Sequence, residues 1–356
     1  MRVVVAGGGL VGLGVARLLR HRGIDPVVVE RMPRGAYVRR GFMLGHHGHD
    51  ALAELGLLDQ VRAAGRPIAP RPDGSCAAIA VEVGKVLHAL AAGVPVLHER
   101  AVTGLRRDPD GRVTGVAVDG AGGTEIIASD LVVACDGMRS RVRSMAGLPA
   151  ELAPMAEGKI EWMSPVPVEE SFAMEYLSGG GHIGLISWPE GSFGWRTTDR
   201  VGRDAALAPG LDALVASWSA LLPAAAGGVG GLRSIDEVLY SEPELLTCPD
   251  WWAPGVVLVG DAAHFFGPET GASAGIGLAD AHALAQAIAA TPGDPDAACR
   301  TYVAWRAPVA RPYEAMDPGR ARLEGAAIPP ARPEERWPPA AGTPLPAAPT
   351  DPVRGG

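Results

Sequence analysis

Three carboxylates close apolar runs, two of them beside glycine. Asp261 follows Val256–Val259 in VVLVGDAAHFFGPETG, Glu30 ends PVVVE, and Asp136 ends DLVVACDG. A single carboxylate at a strand end, next to backbone that no side chain crowds, suits a ligand with hydroxyls and a polar ring edge. Ahead of Glu30, residues 7–12 read GGGLVG, between the β-branched run Arg2–Ala6 and a helical pattern over Leu13–Arg22 that Gly23 caps. This is G-x-G-x-x-G after a strand and before a helix, with an acid at the end of the next strand. Gly7, Gly9 and Gly12 let backbone approach a pyrophosphate, and the helix N-terminus offers unpaired N–H groups and a positive dipole end. Glu30 can accept hydrogen bonds from both hydroxyls of an adenosine ribose and would repel a 2′-phosphate. That favours FAD or NAD over NADP at this site.

The elements that must position these groups follow the chain. A helical pattern covers about His47 to Val61, residues 66–75 read as a loop, and 78–92 as a helix. Strand-like runs at 94–97, 101–106, 112–118 and 124–128 precede the strand ending in Asp136-Gly137. From about residue 151 the texture changes: 157–164, 171–177, 182–188 and 192–198 read as antiparallel strands, followed by a helix at 211–222 and a strand at 232–240. Helices follow at 277–290 and about 295–316. The expected fold is α/β, a Rossmann-like dinucleotide-binding domain over 1–148 and 249–325, with an inserted antiparallel β-sheet domain over 149–248. A Pro-rich tail over 326–356 is expected to be disordered or extended.

Composition narrows the function. The 356 residues suffice for two domains, and 47% hydrophobic content for a full core. A net charge of -8 argues against nucleic acid as partner. Arg is scattered, and the lysines are Lys85 and Lys159 alone. Cys76, Cys135, Cys248 and Cys299 form no CxxC pair, which points to a reducing compartment, here the cytoplasm. No run approaches a membrane span, and the N-terminal apolar run, broken by glycines, lacks a cleavage-like site. His46, His47 and His49 lack an acid or Cys to complete a cluster, so no metal is expected.

GGGLVG with Glu30, then DLVVACDGMRSRVR, then VVLVGDAAHFFGPETG occur in an order that resembles the single-component FAD-dependent aromatic hydroxylases, the p-hydroxybenzoate hydroxylase-like family. The resemblance covers roughly residues 1 to 320. It implies a discontinuous FAD domain with a substrate domain over the flavin. It implies a monooxygenase that uses NADH or NADPH and O2 to hydroxylate an electron-rich aromatic, phenolic or polyketide-like, through a flavin C4a-hydroperoxide. By match, Gly7, Gly9, Gly12, Glu30 and Arg31 hold the ADP half of FAD, and Arg39 reaches the phosphate and ribityl region. Asp136 and Gly137 lie near the pyrophosphate, Gly260 and Asp261 at the ribityl chain, and Pro268, Gly271, Ala272, Ser273 and Ala274 along the ring. Three positions depart from the pattern: Cys135 before Asp-Gly, Val83 where an Arg is usual, and no Asn after Gly271. Lys85 is a candidate to replace that Arg. Activation of a phenol calls for a base or relay in the insert, and the candidates are Tyr176, His182 and Arg196, with Tyr240 beside them. A monomer or homodimer is expected. The rival readings are an isoprenoid-type flavin reductase, a non-catalytic FAD-binding protein, and a flavin halogenase, for which W-x-W-x-I-P is missing.

Overall fold

The computed structural model describes residues 1–37, 39–70 and 76–314. Val3–Ala6 lies between Val27–Val29 and Leu131–Ala134 in a six-stranded sheet. Val96–Leu97 flanks one side, and Val256–Leu258 and then Trp252–Ala253 flank the other. All run parallel except Trp252–Ala253. Parallel strands are covered on both faces, so they read as continuous apolar runs, and the central Val3–Ala6, Leu131–Ala134 and Val256–Leu258 are buried throughout. The register pairs Ala6 with Ala134 and with Val29, and Ala134 with Leu258. The chain positions just beyond those pairs carry Gly7, Glu30, Asp136 and Asp261, so all four emerge at the carboxyl edge of the sheet. That edge is where open α/β sheets bind ligands.

Two helices lock this edge together. Leu10–His21 packs on Ser273–Ala290, whose residues are buried from Gly275 through Ala285. The contact is close because Val11 sits where side chains on Gly260 and Gly277 would be: a Cβ there would lie 2.9 and 2.6 Å from Val11 Cγ2.

The insert is a five-stranded antiparallel sheet in the order Phe172–Tyr176, His182–Trp188, Gly191–Thr198, Gly158–Ser164, Val238–Ser241. Strand side chains alternate between faces. One face, with Ile160, Trp162, Ile183 and Leu185, packs under the helix Leu211–Leu221, where Trp162 stacks on Trp218 at 4.5 Å and 11°. The other, with Ile186, Trp188, Phe193 and Trp195, packs on a three-stranded sheet of Gly41–Gly45, Cys76–Glu82 and Arg66–Pro70.

Four stretches differ from the sequence expectation; of the strand expected over 232–240 only Val238–Ser241 forms, after a short turn at Ile235–Glu237. Within 78–92 only Val83–Ala91 is helical; Cys76–Glu82 is the central strand of the three-stranded sheet. Buried on both faces, CAAIAVE shows no alternation, and an unbroken apolar run does not distinguish strand from helix. The single helix expected over 47–61 is a short turn at His46–Gly48 and two helices, His49–Glu54 and Leu58–Ala64, parted near Gly56 at φ 68. Of the expected loop 66–75, Arg66–Pro70 is an edge strand and 71–75 lies outside the described residues, as does the Pro-rich tail. Among the described residues no helix is long and apolar enough to cross a membrane.

Candidate active site

A cavity of about 440 Å³ opens between the carboxyl edge of the parallel sheet and the aromatic face of the insert. One end is lined by Gly9, Leu10, Val11, Gly137, Asp261, Pro268, Gly271, Ser273 and Ala274, and the other by Phe42, Met43, Lys159, Glu161, Ile186, Phe193, Trp195 and Phe265, with Arg40 between.

The first end is mostly backbone. Gly7 sits at φ 107, and its absent side chain would strike the Cys135 carbonyl. Gly12 closes on Gly7, where a Cβ would overlap the Gly7 carbonyl oxygen. Gly9, the helix N-cap, differs: no neighbour lies within 4 Å of its missing Cβ, so a side chain there would project into the cavity. Two helices begin at this end, after Gly9 and after Ala272. Neither has a side-chain cap or an acid in its first turn. Two uncapped N-termini with unmatched N–H groups facing one cavity suit an anionic, elongated ligand such as FAD.

The acids divide into different roles. Glu30 Oε2 accepts from Gly8 N–H at 2.6 Å and Oε1 from Met32 N–H at 2.7 Å, which fixes the carboxylate beside the glycine turn. Asp136 is turned away from the cavity. Its Oδ1 accepts from Ser140 Oγ at 2.5 Å and its Oδ2 from the Arg141 and Val142 N–H groups at 2.8 and 3.1 Å, so it ties down the start of the helix Arg141–Ala146. Asp261 lines the cavity and makes no hydrogen bond to another described residue. Burial pushes its pKa up to about 6, His264 opposing and Asp280 adding to the rise.

Beneath Asp261 lies a fully buried charge cluster that sequence reading missed. His264 Nε2 is 2.6 Å from Asp280 Oδ2, and Arg306 Nε donates to Asp280 Oδ1 at 2.7 Å. Burial raises the Asp280 pKa, but Arg306 and His264 outweigh it and leave the carboxyl below its ordinary value. His264 stacks on Phe266 at 4.8 Å and 6°. No local motif joins residues 264, 280 and 306; only the fold does.

The remaining expected residues scatter. Arg31 is exposed, and Arg39 points outward, 72% exposed at 3.8 Å from Glu82; its neighbour Arg40 faces the cavity. Gly260 and Ala272 are buried in packing beside the cavity rather than on its wall. Arg196, Tyr176 and His182 do not line the cavity. Arg196 shares a face with Ile160 and Ile183, away from it, as the alternation requires once Trp195 points in. Tyr176, 44% exposed, and Arg196 line a separate open groove on the insert. The His182 ring is buried 6.2 Å from that of Tyr176, and Tyr240 hydroxyl donates to Glu242 at 2.8 Å. Lys85 pairs with Glu190 at the surface. The His46, His47 and His49 rings meet the Ala77 carbonyl, Tyr313 hydroxyl and Leu44 carbonyl.

A family model described as an FAD binding domain matches residues 1–71 and 69–316. The chain belongs to this family. Among its relatives, rifampicin monooxygenase of Streptomyces venezuelae is 28% identical over 348 residues, covering 90% of this chain and 71% of its own. The 3-amino-4-hydroxybenzoate 2-monooxygenase of Streptomyces cremeus is 29% identical, covering 86% and 84%. The fold matches PqsL of Pseudomonas aeruginosa at a TM-score of 0.77 and 21% identity, covering 91% of this chain and 96% of that one. A tetrameric form of 2-methyl-3-hydroxypyridine-5-carboxylic acid oxygenase matches at 0.73 and 21% identity, with 92% of each chain covered. This member of the FAD-binding family is an enzyme, an FAD-dependent aromatic monooxygenase.

Proposed function

We propose that this monooxygenase takes electrons from NADH or NADPH and places one oxygen atom of O2 on an electron-rich phenolic or polyketide-like aromatic. The observation that carries the reading is one cavity with anion-ready backbone at one end and an aromatic wall at the other. Hydride acceptance from NAD(P)H and activation of oxygen are the chemistry FAD supplies when bound. The chain's own residues bind and orient. Gly7, Gly9 and Gly12 with the first helix N-terminus would hold the pyrophosphate, Glu30 the ribose and Asp261 the ribityl hydroxyls. Backbone N–H groups over Gly271–Ala274 would stabilise negative charge on the ring. Phe193, Trp195 and Phe265 would hold the substrate ring and exclude water. One glycine-rich dinucleotide turn occurs among the described residues, so the nicotinamide cofactor would visit and leave. We place the enzyme in the cytoplasm as a monomer or homodimer, without nucleic-acid, membrane or metal partners.

The test is NADH and NADPH oxidation by the yellow holoenzyme, with and without each of a panel of phenols. Slow oxidation alone, faster oxidation with one or more phenols, and a product heavier by one oxygen are expected. Oxidation indifferent to every phenol, with no oxygenated product, would replace this reading with a reductase.

A further inference from the structure

We infer that Glu161 selects the substrate by accepting a hydrogen bond from an N–H on its ring edge, so that the substrate is an aminophenol or a hydroxylated N–H heteroaromatic. The inference rests on the function proposed above and adds a residue and a functional group to it. Glu161, on Gly158–Ser164, is 5% exposed and lines the cavity. Arg40 Nη2 donates to its Oε2, which fixes the carboxylate and offsets its charge. Arg40 is itself seated from outside the insert. Val83 N–H donates to its carbonyl at 3.0 Å, and beside it Gly41 packs so closely that a Cβ would come within 2.6 Å of Phe193 Cβ. Glu161 Oε1 makes no hydrogen bond to a described residue, yet it is not sealed inside the protein, so it opens to the cavity.

The surroundings of Oε1 decide what it can take. Glu161 is paired across the strands with Trp195, whose ring leans the other way, over Gly184, where a Cβ would come within 2.5 Å of Trp195 Cζ2. A planar ligand lying against Trp195 would present its edge to the carboxylate. Apart from Lys159, the rest of this wall, with Phe42, Ile186 and Phe193, is apolar. An apolar edge brought to Oε1 strips its water and returns nothing, whereas an N–H replaces the lost bond. A site built around such an acceptor rejects the isostere that lacks the donor. An ionised hydroxyl there would meet a like charge. An aromatic N–H is too weak an acid to lose its proton to a carboxylate, so the contact orients the ring without proton transfer. The nitrogen lone pair enriches the ring carbons in electrons, which suits them to accept an electrophilic oxygen.

The experiment uses FAD-loaded enzyme and two isosteric pairs that keep the phenol and change only the donor: 3-aminophenol with 3-methylphenol, and 5-hydroxyindole with 5-hydroxybenzofuran. They are titrated at neutral pH, where the aromatic amine carries no charge, and binding is followed by the flavin absorption spectrum. Wild type should bind at least one N–H member on the order of tenfold more tightly than its isostere, although the isostere is the more apolar of the two; this arm needs no variant. In Glu161→Met the order should level or reverse, and likewise in Arg40→Met/Glu161→Met, which leaves no guanidinium without its partner. FAD content and melting temperature are the controls on folding. No N–H preference in wild type, including failure of both N–H members to bind, overturns the inference, as does a preference that survives in either variant. A Glu161-dependent preference without oxygen transfer would leave this role standing and remove the monooxygenase reading; oxygen transfer without the preference would do the reverse.

Discussion

At one end of the cavity the surface is glycine and helix N-termini; at the other it is Trp195, Phe193, Lys159 and Glu161 on alternate strand positions. In the proposed function the first end would recognise through fixed backbone N–H groups, which cannot be exchanged without changing the turn itself. The second would recognise through side chains on a sheet, which can change singly while the sheet persists. Cofactor binding and substrate choice would then be separable, and the substitutions below test that separation.

The largest effect should come from the charge cluster under the backbone end. Asp280→Asn leaves the Arg306 guanidinium buried without its counter-charge. Loss of one partner of a buried pair costs about 3–5 kcal/mol. Thermal unfolding should show it, and Asp280→Asn with Arg306→Met should recover much of the loss. An unchanged melting temperature would mean that the cofactor end stands without the cluster. Next are two glycines, three residues apart, that differ in kind of effect. Gly12→Ala drives a methyl into the Gly7 carbonyl and should destabilise the apoprotein by about 1–3 kcal/mol. Gly9→Ala meets nothing, so it should shift stability by about 1 kcal/mol or less as a cap change while still weakening FAD. Equal melting temperatures for the two variants would contradict the packing described here.

The third effect depends on pH. Because the Asp261 pKa is raised from 3.8 to about 6, the stability it gives the apoprotein is whole below 3.8 and is lost as pH rises through about 6. FAD retention should run the other way, since ribityl hydroxyls donate best to the ionised carboxylate. Affinity should fall on the order of tenfold as pH drops through that range, as expected for loss of a charge-assisted bond. Asp261→Asn should flatten both profiles; a pH-dependent FAD affinity that persists in it would place the titrating group elsewhere. The smallest effect should be that of Arg196→Ala, with phenol affinity within about twofold of wild type, since the side chain faces the other side of the insert sheet.

The same contrast explains what could be read from the sequence. The glycine turn, Glu30 and the GDAA strand end are local: residue type and spacing within a few positions set their conformation. The fold class and the positions along the chain of the insert's first four strands were legible for the same reason, but their order in the sheet was not. Which insert residue faces the cavity was not, because alternation gives two faces without saying which is inward. Trp195 lines the cavity, so Arg196, the next residue of the strand, faces away from it. Lys159 and Glu161, alternating with Ile160 and Trp162, look like a solvent face, yet both faces of this sheet are covered. Asp136 resembled a cofactor ligand because its position beside Gly137 is right, while its carboxylate serves Ser140 and the helix behind it. The His264–Asp280–Arg306 cluster joins distant segments and left no local signal.

Isotope tracing tests the central claim most directly. Holoenzyme, NADH or NADPH, a phenol that stimulates oxidation and ¹⁸O-labelled O2 are combined, and the organic product is weighed by mass spectrometry. The account predicts one ¹⁸O atom in the product for each nicotinamide oxidised. Nicotinamide oxidation that yields only hydrogen peroxide, with no label in any phenol across the panel, would contradict it.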